Sequence, residues 1–183
     1  MKYDWDTVLK ICSENSGQTL KRLKNLDWPL EELLKIAPIP VEQNPYGRAV
    51  LHRSNLGEVL LMGWRKEMFC MQHDHGDSYG FVCFLKGSFV EQSWNWFEGD
   101  LIVKTERSIS APEVITISKN SIHNMKSVDD GLSLHIYLPE INKMRVYDLS
   151  SKEILIVTDD CGAWIPTEPI HIISKRSWNK ERK

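Results

Sequence analysis

The chain has 183 residues, 42% of them hydrophobic and 26% charged, and a formal net charge of −2. That length and balance describe one globular domain with a modest extension, and the charge excludes the global basic field that draws a protein to nucleic acid. No run reaches the roughly 18 apolar residues of a membrane span, MKYDWDTVLK lacks the apolar stretch of a signal peptide, and the four scattered cysteines form no CxxC, so a cytoplasmic protein with reduced thiols is expected.

The first forty residues carry helical spacing. In WDTVLKIC, Trp5, Val8, Leu9 and Cys12 share a helical face. Leu20, Leu23 and Leu26 recur at three-residue steps, and PLEELLKIA opens with Pro29 and carries Leu30, Leu33, Leu34 and Ala37. PIPVEQNPYG then breaks the pattern with three prolines and a glycine. The boundaries expected are a small helical cap over 1–38 and a β domain with a C-terminal extension over 39–183.

From there AVLHR, EVLLMGW, FVCFLKGSFVEQSWNW, LIVKT, EVITIS, LSLHIYL, MRVYDL and EILIVT follow as short β-type runs punctuated by Gly, Asn, Asp and Ser. No helical stretch lies between them, so a parallel βαβ sheet is disfavoured and an all-β sandwich or barrel is expected. Lys86-Gly87 reads as a turn. Beyond about residue 159 strand signals thin to AWIP and IHIIS, and this segment is expected around the outside. The basic tail KRSWNKERK reads as solvated rather than as a nucleic-acid arm.

Candidate chemistry begins at MQHDHGDSYGF. In an extended strand His73 and His75 point one way and Asp74 the other, so two neutral imidazoles can hold one cation from adjacent vertices. The alternative is a pair of ordinary polar residues at a strand end. About fifty residues later His123 follows a polar turn at a strand start in ISKNSIHNM. Paired blocks of this kind resemble the two motifs of the cupins, which are jelly-roll β-barrels with a metal held inside by HxH and a further histidine. Most cupins add a glutamate shortly after HxH. Here Asp77, on the parity of the two histidines, is the carboxylate available.

Three further segments narrow the resemblance. PYGRAVLHR, HDHGDSYG and SLHIYLPE, with ISKNSIHNM, are similar in order and content to blocks of the bacterial cysteine dioxygenases over roughly residues 40–150. The resemblance implies a cupin jelly-roll β-barrel with a small N-terminal helical cap, an Fe(II) cofactor held by His73, His75 and His123, and oxidation of L-cysteine by O2 to cysteine sulfinic acid. It implies Arg48 as the anchor for the substrate carboxylate with Tyr46 beside it, Tyr137 as the active-site phenol, Ser133 and His135 as a hydrogen-bonded chain behind it, and Trp64 in the pocket wall. The partners implied are a small thiol and O2; the low net charge and the lack of an apolar span lead to the expectation of no nucleic acid and no membrane, and the low charge and lack of heptads to that of a monomer or small homo-oligomer. In the animal enzymes a cysteine is joined to the tyrosine; here Gly80 stands at that place and excludes the crosslink. Leu138-Pro139 replaces a frequent Ser-Pro, though proline still permits a cis bond.

The residues themselves are consistent with that chemistry. Imidazole suits iron among other metals, and three histidines on one face leave positions for substrate and dioxygen. Arginine's planar fork suits a carboxylate. Arg48 and Arg53 are an odd step apart, so a regular strand sends only one of them inward; Arg48 is favoured and the other reading is a surface ion pair. His52 between them is expected at the strand edge or in solvent. Ser133, His135 and Tyr137, at alternate positions, line one face. Cys70 has the wrong parity to join the histidines, Cys83 reads as a core thiol, Trp94 and Trp96 as packing over a hairpin, and His171 as structural. The alternatives are oxidation of 3-mercaptopropionate, disfavoured by the arginine, and a non-catalytic cupin that binds a metal or small ligand.

Overall fold

The computed structural model describes residues 3–41 and 44–178. Residues 1–2 of the cap, 42–43 of the proline-rich break and 179–183 of the basic tail lie outside the described residues. Three short helices come first: α1 (Trp5–Ser13), α2 (Thr19–Lys24) and α3 (Leu30–Lys35). Asp4 caps α1, its carboxylate accepting from the Thr7 backbone N–H and hydroxyl at 3.1 and 2.6 Å. The predicted face of α1 is the buried one. In α3 only Leu33 is fully buried, while Leu30 and Leu34 are exposed, because six residues offer a sheet a single turn of contact.

Among the described residues twelve strands follow: β1 (Tyr46–Arg53), β2 (Glu58–Trp64), β3 (Gln72–Asp74), β4 (Tyr79–Lys86), β5 (Ser88–Phe97), β6 (Asp100–Ser110), β7 (Glu113–Ile117), β8 (Ile122–Ser127), β9 (Gly131–Leu138), β10 (Arg145–Asp148), β11 (Glu153–Val157) and β12 (Ile172–Ser177). They form a five-stranded sheet, β1-β2-β9-β4-β7, and a seven-stranded sheet, β12-β11-β10-β3-β8-β5-β6. The order is that of a jelly roll, as expected from the sequence. AWIP forms no strand; IHIIS supplies β12, which pairs with β11 and extends the larger sheet.

Alternation along β2, β4 and β9 explains why these strands read as nearly unbroken apolar runs. Val59, Leu61, Phe81, Cys83, Leu134 and Ile136 face one way, onto Leu9, Cys12, Leu23 and Leu33 of the helical cap. Leu60, Met62, Trp64, Val82, Phe84 and Tyr137 face the other way and meet Phe89, Ile109 and Met125 of the larger sheet. Both faces of the smaller sheet are therefore buried, one under helices and one inside the barrel.

The cap reaches the sheet through a close backbone approach. Gly47 and Gly63 are register partners on β1 and β2, and a Cβ on either would lie 2.4 or 2.3 Å from the carbonyl oxygen of Pro38. Gly63→Ala is expected to lower stability by about 1–3 kcal/mol through this overlap, read as a lower midpoint at unchanged slope in urea unfolding.

Candidate metal centre

His73 on β3 stands directly opposite His123 on β8 in the antiparallel register. His75 follows two residues later on the same side. The three ring centroids lie 4.6 to 5.3 Å apart, and a nitrogen from each falls within 4.8 Å of the others, all buried. Asp74 faces away from them. It is fully buried and accepts from Arg145 Nε at 2.8 Å, the Tyr147 hydroxyl at 2.5 Å and the Gly76 N–H at 2.8 Å, so it ties β3 to β10. Alternation thus gives the motif two functions, a cluster inward and a brace outward.

Hydrogen bonds around the cluster fix the tautomers of His73 and His123. His73 Nδ1–H donates to the Met71 carbonyl at 2.9 Å. His123 Nδ1–H donates to Glu91 Oε1 at 2.9 Å, and the other oxygen of Glu91 accepts from Arg107 Nε at 2.5 Å. Each bond leaves the opposite nitrogen of that ring with a lone pair. His123 Nε2 and His75 Nδ1 are buried with no hydrogen-bond partner among the described residues. Orphaned buried nitrogens are costly unless a ligand uses them, and three neutral imidazoles are the donor set a transition metal takes. Burial holds His73 and His75 well below the ordinary histidine range, the charge of His123 adding to the effect, so both stay neutral and able to bind.

Glu91 escaped the sequence reading. Burial alone would raise its carboxyl, but hydrogen bonding and charge from His123 and Arg107 outweigh that and leave it lowered. Its signal was present in GSFVEQSW, where it keeps the inward parity of the fully buried Phe89. A carboxylate behind a ligating imidazole orients the ring and raises its basicity. Glu91→Gln is expected to weaken metal binding by about 10–100-fold with the melting temperature of metal-free protein little changed, measured by competition with a coloured chelator.

A second array lines the wall beside the cluster. Trp64 Nε1–H donates to Ser133 Oγ at 2.8 Å, Ser133 is 2.9 Å from His135 Nε2, and His135 Nδ1 is 3.1 Å from the Tyr137 hydroxyl, which lies 3.1 Å from His75 Nε2. Tryptophan can only donate, so the assignment that satisfies every member has Ser133 donating to His135 Nε2 and His135 Nδ1–H donating to Tyr137. Burial, with the charges of His123 and Arg48, lowers His135 to about 3, so it is neutral as this requires. Burial likewise pushes Tyr137 well above the phenol range and keeps its proton on. Trp64, expected in the wall, is thus also the outer end of the chain. Gly80 packs on the Tyr137 ring so closely that a Cβ there would stand 2.6 Å from Cδ1.

Arg48 and Tyr46 border the same pocket as the three histidines, His135 and Tyr137. Tyr46 packs at a tilt of 50° against Trp64 with centroids 4.6 Å apart, and its hydroxyl accepts from the Ala163 N–H at 2.7 Å. Arg48 Nη1 donates to the Asp159 carbonyl at 2.9 Å. Arg48 and Arg53 do not lie on opposite faces of β1 as regular alternation would place them. A bulge at Leu51 inserts an extra residue between Val50 and His52, so both arginines approach Glu58 of β2. Arg48 still borders the pocket while the Arg53 side chain is 44% exposed. His52 bonds Asp6 at 3.0 Å and ties β1 to the cap.

Asp77 is exposed and outside the histidine cluster, because the turn at Gly76, with φ of 57°, ends the extended alternation. Cys70 is not in the cluster; its sulfur accepts from the Met125 N–H at 3.1 Å. Cys83 is a core thiol. Trp94 donates to Asn124 at 2.6 Å and Trp96 packs on Tyr147 and Trp178. His171 meets the Thr158 hydroxyl at 3.3 Å. The Leu138-Pro139 bond is cis. The segment after β11 does more than wrap the outside: Thr158, Asp159, Cys161 and Gly162 roof the pocket, a long-range placement that sequence periodicity does not encode.

Known proteins match this architecture. The sequence profile described as "Cysteine dioxygenase type I" matches residues 39–150. Curated relatives include "Cysteine dioxygenase type 1" of Rattus norvegicus and of Mus musculus, each 24% identical over 115 residues, or 58% of this chain and 58% of the relative. The aligned region therefore spans a little over half the length of those relatives. Among solved structures, an uncharacterized conserved protein with a double-stranded β-helix domain from Klebsiella pneumoniae subsp. pneumoniae aligns with a TM-score of 0.50 at 11% identity, covering 67% of this chain and 91% of that one, and supports the fold alone. Among the described residues no helix is long and apolar enough to cross a membrane.

Proposed function

The chain belongs to the cysteine dioxygenase type I family, within the cupin superfamily, and on that premise we propose that it is an Fe(II)-dependent thiol dioxygenase that converts L-cysteine to cysteine sulfinic acid. The observation that carries the reading is the meeting of His73, His75 and His123 in one pocket with Arg48 and Tyr137. His73, His75 and His123 would hold the metal, His73 and His123 through the nitrogens left free by Met71 and Glu91. Iron, when bound, supplies the charge that favours a thiolate and the capacity to join both atoms of dioxygen to sulfur.

The protein's own groups have the remaining work. Arg48 offers its guanidinium to the substrate carboxylate, and Tyr46, buried against Trp64 and pinned by Ala163, fixes the wall beside it. This orients the thiol toward the histidines before any reaction begins. Tyr137 keeps its proton because burial disfavours the phenolate. His135 already donates to the phenol oxygen, so the Tyr137 O–H is free to donate, either to His75 Nε2 at 3.1 Å or to an acceptor atom of a bound substrate. The apolar side chains of Leu60, Met62, Met125 and Ile141 exclude water from the same space.

Cysteine is favoured over 3-mercaptopropionate by the arginine at position 48, where dioxygenases for the latter typically resemble one another in having glutamine. A non-catalytic metal-binding cupin would have no need of Arg48 and Tyr137 together. Oxygen uptake by iron-loaded protein with L-cysteine, with the product identified by mass as the thiol plus two oxygen atoms, tests the assignment. A higher kcat/KM for 3-mercaptopropionate reassigns the substrate, and no uptake with any small thiol overturns the enzyme reading.

A further inference from the structure

Behind the pocket two arginines face one carboxylate. Glu58, at the head of β2, is completely buried. Its Oε2 accepts from Arg53 Nε and Nη2, both at 3.2 Å, and its Oε1 accepts from the Ile141 N–H at 3.0 Å. Arg48 Nη2 stands 3.9 Å from the same Oε2, beyond hydrogen-bond reach. A carboxylate removed from water requires a cation, and here two are in range. The geometry gives Glu58 to Arg53. Arg48 hydrogen-bonds only the neutral Asp159 carbonyl and faces Glu58 across 3.9 Å without a hydrogen bond, so its donors at the pocket wall are not taken up by the carboxylate. The other acidic group facing Arg53 is Glu140, with its Oε2 3.5 Å from Arg53 Nε. Its side chain is more than half exposed, so water screens it.

We infer that Arg53 is a positioning residue for carboxylate recognition: by binding Glu58 it keeps Arg48 available to an anionic group of the substrate. This rests on the reading of Arg48 as the carboxylate anchor. Remove Arg53, and the nearest cation for the buried Glu58 is Arg48, which then serves the protein instead of the ligand. Arg53 itself is not among the residues bordering the pocket, and Glu58 is the group it shares with Arg48. The bulge at Leu51 brings this about, since a regular β1 would turn Arg53 to the opposite face. The ligands discriminated are thiols that carry a carboxylate, such as cysteine, from thiols that carry only an amine, such as cysteamine.

The test is anaerobic calorimetric titration of metal-loaded protein with L-cysteine and with cysteamine. Arg53→Gln is expected to weaken cysteine binding by about tenfold or more and to leave cysteamine binding unchanged. Glu58→Gln in the Arg53→Gln background is expected to restore cysteine affinity, a recovery that a merely structural role for Arg53 would not produce. Glu58→Gln alone keeps Arg48 free and is expected to bind cysteine at least as tightly as the parent. Equal losses for both thiols in Arg53→Gln, no loss for either, or no recovery in the double variant overturns the inference. So does weakened cysteine binding in Glu58→Gln alone, which decides the matter if Arg53→Gln fails to fold. Arg48→Gln, run alongside, separates the two levels: if it leaves cysteine binding intact the anchor assignment fails, whereas a selective loss there with none in Arg53→Gln removes only the role of Arg53.

Discussion

His123→Ala is expected to abolish thiol oxidation and to lower metal retention by more than about 100-fold, beyond the range seen when an outer partner of a ligand is lost. The substitution removes one of three donors and cannot be replaced from nearby. Among the described residues no further side chain joins the cluster: His135 is engaged by Ser133 and Tyr137, Cys70 by the Met125 N–H, and Glu91 by Arg107. It also strands the Glu91 carboxylate at 9% side-chain exposure without its imidazole, leaving Arg107 as its partner. Metal content after dialysis, read by atomic emission, should fall toward background while the metal-free variant keeps its β-sheet circular dichroism. Retention of stoichiometric metal would show that the ion sits elsewhere, and the proposed chemistry would go with it.

Arg48→Gln should lower kcat/KM for L-cysteine by about 100-fold, the scale of a lost charge-assisted pair in a desolvated site. Most of the change should appear in KM, because the contact holds the carboxylate before and after reaction alike. Cysteamine, which has no carboxylate, should lose far less. The fold should persist, since Glu58 keeps two bonds from Arg53 and one from Ile141. Steady-state oxygen uptake with both thiols measures it, and equal losses on the two would point to a general disturbance of the pocket.

Period-two alternation accounts for much of what was legible. It placed His73 and His75 together with Asp74 opposed, and it put Ser133, His135 and Tyr137 in one line. It failed where the backbone departs from a regular strand. The bulge at Leu51 reversed the parity of Arg53, and the turn at Gly76 carried Asp77 out to solvent. It was also silent on pairings set by topology. Glu91 reaches His123 because β5 lies beside β8, and Glu58 sits beneath Arg48 because β2 lies beside β1. Neither adjacency is written in local periodicity. The cap shows the complementary case. EVLLMGW had no polar face, and the structure supplies the reason, with α1 covering one side of β2 and the barrel interior the other.

The family likeness ends at residue 150, yet the ceiling over the histidines is built from Thr158 to Gly162. Floor and ceiling are therefore separate stretches of polypeptide, joined by the Arg48–Asp159, Tyr46–Ala163 and Met71–Ala163 hydrogen bonds and by the edge contact of Trp164 on Tyr46. Such a division lets the entrance change its dimensions through substitutions in one short loop while the coordinating residues stay as they are. Two kindred enzymes with the same histidines could then admit guests of different bulk, and their diets would be told apart at the loop rather than at the metal.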